Sequence, residues 1–190
     1  MLLQAINDDV LEACRSGDAE AFRLLFESCK DRVYSIAVSF FNGDVATADD
    51  VTQQVFIKLM TQISQFQGRS QFSTWLYRLV TNACLDHKRG LRRFLFHQDT
   101  KDLEVPDARR SVESRFIADQ IEGEIRQAIS TLKPKLRIAV LLKYFDDLSY
   151  DEMASALGCS RGTVASRLNR GHRILAQKLS HLRGQAASGD

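Results

Sequence analysis

The side chains best equipped for chemistry in this sequence are cations and hydrogen-bonding groups rather than nucleophiles. From Gly158 to Gly184 there are six basic residues (Arg161, Arg167, Arg170, Arg173, Lys178 and Arg183) and no acid. A second basic cluster is Lys88, Arg89, Arg92 and Arg93. The net charge is only +2, so any attraction for a polyanion is local rather than global. Local clusters of this kind are the electrostatic footprint of phosphate binding. Thr163, Ser166 and Asn169 are interleaved with the first cluster, and their donors and acceptors suit the edges of bases. The alternative is two solvated helix faces; a run of Arg without interleaved Glu fits that reading less well.

Other chemistries find little support. Cys14, Cys29, Cys84 and Cys159 are isolated, with no C-x-x-C pair, and read as reduced, mostly buried thiols. Cys84 and His87 lie three apart and could share a metal, but no third or fourth ligand is in view. The pair Asp49 and Asp50 reads as a helix-end feature in the first turn of a helix starting near Thr47, where the macrodipole favours negative charge. No catalytic residue, metal or cofactor is therefore expected. The N-terminal stretch MLLQAINDD lacks a basic leader, and no apolar run approaches transmembrane length. A cytoplasmic protein without membrane insertion is the expectation, and a monomer.

The elements that position these residues are helices. Prolines are limited to Pro106 and Pro134, and long amphipathic runs follow helical spacing. A short helix is predicted near Asp8–Arg15. The next is capped by Asp18, carries the stripe Phe22, Leu25, Phe26, Cys29, Val33, Ile36, Ala37 and Phe40, and ends at Asn42-Gly43. A third buries Val51, Val55, Leu59, Ile63 and Phe66, broadened by Phe56 and Met60. Ile57 is on its opposite face, ringed by Asp50, Gln53, Gln54 and Thr61. It is either an isolated exposed residue or the centre of a protein contact. A fourth helix, capped by Ser73 or Thr74, runs from Trp75 to about Lys88, with Arg78, Thr81 and Asn82 on a polar face. Periodicity fails from about Phe94 to Val112, which reads as a linker, although Phe94, Leu95 and Phe96 are too apolar to hang free. Order resumes with Ile117, Ile121, Ile125, Ala128 and Leu132. Pro134 opens a helix that buries Leu136, Val140 and Tyr144 and stops at Asp146-Asp147.

The strongest local signal is SYDEMASALGCSRGTVASRLNRGHR, residues 149–173. Ser149 and Glu152 form an S-x-x-E capping box, Gly158 permits a sharp turn, and Ser160 caps a helix with the buried stripe Val164, Leu168, Leu175, Leu179 and Leu182. This is a helix-turn-helix pattern. Its second helix leaves Arg161, Thr163, Ala165, Ser166, Asn169 and Arg170 outside the stripe, suited to a major groove.

Two segments together resemble a known family. FSTWLYRLVTNACLDHKR (72–89), preceded by DDVTQQVFIKLM (49–60), resembles region 2 of extracytoplasmic-function sigma factors, and LSYDEMASALGCSRGTVASRLNRGHRIL (148–175) resembles their region 4. The resemblance implies an all-α fold of two helical domains: region 2 over 1–93, a linker over 94–112, region 4 over 113–184 and a tail over 185–190. It implies core RNA polymerase and promoter DNA as partners, and an anti-sigma factor as a possible third. Asp50, Gln53, Gln54 and Ile57 match the polymerase-docking face. Phe66, Gln67, Gly68, Arg69 and Ser70 match the loop that captures a base flipped from the −10 element, with Arg78, Asn82, Lys88 and Arg89 adding contacts. Capture requires unstacking a base and holding its edge and face. Lys143, Arg161, Thr163, Ala165, Ser166, Asn169, Arg170 and Arg173 match the −35 contacts. Ala165 stands where Arg or Lys is common, and offers only apolar contact, for example to a thymine methyl. An ordinary helix-turn-helix regulator with a sensing or dimerising N-terminal part accounts for residues 113–182 equally well, but not for 49–89.

Overall fold

The computed structural model describes residues 6–68, 70–97 and 116–182. Its elements are α1 (Asp8–Arg15), α2 (Ala19–Phe40), α3 (Val45–Gln62), a 3-10 turn at Ile63–Gln65, α4 (Phe72–His97), α5 (Phe116–Ser130), α6 (Pro134–Asp146), α7 (Tyr150–Leu157) and α8 (Arg161–Lys178). No strand occurs among the described residues, and the all-α expectation holds.

Helix ends follow local chemistry. Asn7, Asp18, Asp44, Ser149 and Ser160 each accept a backbone N–H of the first turn, satisfying donors that lack an intrahelical partner. The Ser149–Glu152 capping box is reciprocal. Two helix starts differ from expectation. Because Asp44 accepts the Thr47 N–H at 3.0 Å, α3 begins at Val45, which places Asp49 and Asp50 beyond the first turn and removes their helix-end role. Helix α4 begins at Phe72, ahead of Ser73 and Thr74. It also continues past Lys88 to His97, so residues 94–97 are helical; the rest of the expected linker lies outside the described residues. Phe94, expected to pack, is 58 % exposed on the last turns of α4.

Helix α2 packs on α1, α3 and α4, while α8 packs on α6 and α7. Burial separates stripes cleanly: Leu25, Cys29, Val33, Ile36 and Phe40 on α2, Val51, Val55 and Leu59 on α3, and Leu76, Val80, Ala83 and Cys84 on α4 are sequestered. Met60, Tyr144 and Phe26 are exposed, so none belongs to the stripe to which its spacing assigned it. Of the expected α8 stripe, Val164 and Leu168 are buried while Leu175, Leu179 and Leu182 are half-buried. Thr81 is buried, not on the polar face of α4. Gly171 lies where α8 crosses α6: a Cβ there would stand 2.9 Å from Val140 Cγ2.

The helices of both halves form one continuous core, because α2 and α4 also pack on α6, and α4 on α7. Two arginines cap each other's helices. Arg32 of α2 donates to the Phe145 carbonyl at the end of α6 at 2.7 Å and pairs with Asp146. Arg137 of α6 donates to the Phe40 carbonyl at the end of α2 at 2.6 Å, lies over the Phe40 ring, and also donates to Ser130 O. Helices α2 and α6 therefore run antiparallel here, each supplying donors to the other's orphan carbonyls.

Candidate nucleic-acid and polymerase interfaces

Three sets of side chains remain outside the core. The first is on α3. Asp50, Gln53, Gln54 and Ile57 are all exposed, with Ile57 at 54 %. Exposed Met60 follows Ile57 by one turn, and Phe26 of α2, 41 % exposed, packs edge-on to Phe56 at 4.6 Å. Ile57 and Met60 together make the exposed apolar surface of α3 larger than Ile57 alone. Met60 was missed because its spacing places it at the margin of the buried stripe.

The second set surrounds the loop between the 3-10 turn and α4. Gln67, Gly68 and Ser70 are exposed, and Gly68 has a φ of +67°, where a side chain would be strained; Arg69 lies outside the described residues. Phe66 differs: it is buried, its ring 5.8 Å from Phe72 and 5.5 Å from Trp75. It anchors the loop rather than offering a face to a base. On α4, Arg78 and Asn82 are exposed while Leu79, Thr81 and Ala83 are buried. Arg89 is exposed but pairs with Asp86 at 2.8 Å. Lys88 is half-buried, and its pKa is lowered first by desolvation and then by Arg137, so it stands toward the contact between the halves instead of free in solvent.

The third set is on α6 and α8. Arg161, Ser166, Asn169, Arg170 and Arg173 are exposed; Thr163 and Ala165 are half-buried. Ser160 takes Thr163 into the helix cap through its backbone N–H at 3.2 Å and its hydroxyl at 3.0 Å. Arg161 pairs with Asp151 at 3.3 Å, an exposed pair that solvent and salt weaken. Lys143 pairs with Asp147 at 2.8 Å, which raises its pKa, and donates to the Leu148 carbonyl. Arg170 and Arg173 are exposed cations on this face. Among the described residues no group of three metal-ligating side chains converges. Burial pushes the Cys84 thiol up to about 12, so it stays protonated and a poor ligand.

Comparison with known proteins places this architecture. Residues 25–94 match Sigma-70 region 2, and residues 122–175 match Sigma-70, region 4. The chain is 33 % identical to the RNA polymerase sigma-H factor of Pseudomonas aeruginosa over 98 % of its own length and 100 % of that protein. It is 30 % identical to the ECF RNA polymerase sigma factor SigW of Bacillus subtilis over 90 % of this chain and 96 % of that one. The chain belongs to the extracytoplasmic-function group of the sigma-70 family. A solved relative in fold is the sigma factor RpoE of Bartonella quintana, in complex with the anti-sigma factor NepR. It superposes with a TM-score of 0.70 at 20 % identity, covering 85 % of this chain and 98 % of that one.

A sigma factor directs promoter-specific initiation by core RNA polymerase; it is a recognition subunit, not an enzyme. The helix-turn-helix of this sigma factor is the pair α7–α8, turned at Gly158 with a φ of +57°. No helix among the described residues is long and apolar enough to cross a membrane.

Proposed function

We propose that residues 1–93 bind core polymerase through Asp50, Gln53, Gln54 and Ile57 and read the −10 element through the Gln67–Ser70 loop, Arg78, Asn82 and Arg89, with Lys88 held back at the contact between the halves. Residues 113–184 read the −35 element through α8, and residues 94–112 link the two in a cytoplasmic factor. Phe66 supports the loop from below. An anti-sigma factor is a further partner under this reading, supported by the Bartonella quintana neighbour having been solved with one.

The observation that carries the −10 assignment is the isolation of Asn82. It is exposed on α4 between buried Thr81 and buried Ala83, with no packing task. An Asn amide can hold the edge of an unstacked base. Asn82→Ala is expected to spare closed complexes and reduce open complexes on duplex promoters, read by permanganate footprinting. A template mismatched over the −10 element should recover part of the loss, since pairing no longer has to be disrupted. Wild-type opening by the variant would return Asn82 to the solvated surface.

A further inference from the structure

Across from the base-capture loop stands α1. A cleft of about 650 Å³ separates them, lined from α1 by Asp8, Glu12 and Arg15 and from the loop by Gln67, Ser70 and Gln71. One residue ties the two sides together. Arg15, the last residue of α1, donates from Nη2 to the Phe66 carbonyl at 2.6 Å, and its guanidinium lies 5.5 Å from the centre of the Phe66 ring. Its other terminal nitrogen is held by Glu12 at 2.7 Å, which fixes the plane of the fork. The Arg15 side chain is 29 % exposed, so this charge-assisted bond is partly shielded from solvent.

Phe66 is where the loop leaves the 3-10 turn. Its backbone is already extended, and its ring is locked by Phe72 and Trp75. Its ring is thus held from α4 and its carbonyl from α1, before the chain enters Gln67 and Gly68. We infer that Arg15 is a positioning residue for base capture: it sets the backbone from Phe66 into Gln67 and Gly68, and α1 forms the opposite wall of the cleft that receives the flipped base. This rests on the −10 assignment of that loop. A fork held at both ends restrains the loop before the base arrives, so less ordering is required on capture. Without Arg15 the loop still exists, but the base that fits it is chosen less sharply.

The test uses full-length chain reconstituted with core polymerase. A promoter selected with the wild-type holoenzyme is prepared as bubble templates carrying each of the four bases at the melted position where wild type discriminates most. The readout is the ratio of affinities for the preferred and least preferred base. Arg15→Ala is expected to shrink that ratio about fivefold, the scale of one lost hydrogen bond, while core affinity and binding to −35 duplex stay unchanged. Arg15→Lys keeps a cation over the Phe66 ring but replaces the fork by one nitrogen, and is expected to fall between. An unchanged ratio in Arg15→Ala overturns the inference and leaves the loop assignment standing. If Arg15→Ala fails to fold, a wild-type ratio in Arg15→Lys overturns it instead. A wild type that discriminates at no melted position overturns the loop assignment, and the inference with it.

Discussion

Arg170 and Arg173 stand one turn apart on α8, both exposed, yet their expected tasks differ. Arg170 accompanies Ser166 and Asn169 on the face proposed to read bases, while Arg173 is proposed to neutralise a phosphate. A good Arg–guanine pair discriminates by about 1–3 kcal/mol, so Arg170→Ala should relax preference at one −35 position in a selection with holoenzyme. Arg173→Ala should weaken all sequences alike and reduce the log–log salt slope by about one. Equal loss on every sequence for Arg170→Ala would make it a phosphate contact. Residue identity announced these groups because Arg and Asn in an acid-free run have few other uses. It did not announce which are already engaged: Thr163 serves a cap, Arg161 faces Asp151, and Lys88 is half-buried. Those partners come from neighbouring turns or from other helices.

At the scale of the helix, α3 has one buried and one exposed face. Val51, Val55 and Leu59 are buried, while Gln53 and Ile57 face solvent. Replacing Gln53 by Glu and Ile57 by Asp should weaken core binding by roughly tenfold or more, about 1.4 kcal/mol, with unchanged helicity by circular dichroism. Retained affinity would move the docking surface elsewhere. The crossing of α6 and α8 is the opposite case, since it depends on a side chain that is absent. Gly171→Ala introduces a Cβ 2.9 Å from Val140, and overpacking of this kind costs about 1–3 kcal/mol. The loss should appear as a lower denaturation midpoint with unchanged m-value, and Val140→Ala in the same chain should recover part of it.

The two halves of the molecule are joined by a polar clasp within an apolar contact. Tyr77 of α4 donates to Asp146 at 2.7 Å, and Arg32 pairs with the same carboxylate, whose side chain is only 1 % exposed. Desolvation outweighs both partners and raises the Asp146 pKa; burial likewise raises that of Tyr77. A carboxyl that binds its proton more tightly when folded favours folding more strongly as pH falls toward the ordinary carboxylate value. That contribution is lost as pH rises through the raised pKa. Asp146→Asn has no such proton. The stability of the wild type relative to Asp146→Asn should therefore rise as pH is lowered from neutral into the mildly acidic range, measured by denaturant titration of both chains at each pH. A flat difference would mean that Asp146 titrates alike in folded and unfolded chains.

What the sequence determined by itself is what can be encoded within a turn or two of helix. Asp18 and Ser160 as caps, the Ser149–Glu152 box, the Gly158 turn and the centre of the α2 stripe, from Leu25 to Phe40, with Val164 and Leu168 of α8, need only local backbone geometry and a 3.6-residue period. The family resemblance was legible for the same reason, since region 2 and region 4 each occupy a continuous segment. Tertiary structure decided the rest. Periodicity states that a helix has an apolar side; it does not state where the neighbouring helix stops covering it, so Met60 and Tyr144 fall outside the core and Thr81 inside. The caps exchanged between α2 and α6 join residues 113 and 97 apart in sequence, and Arg15 meets Phe66 across 51. An arginine aimed at a distant carbonyl has no partner residue type for a sequence to display, because every residue carries that carbonyl.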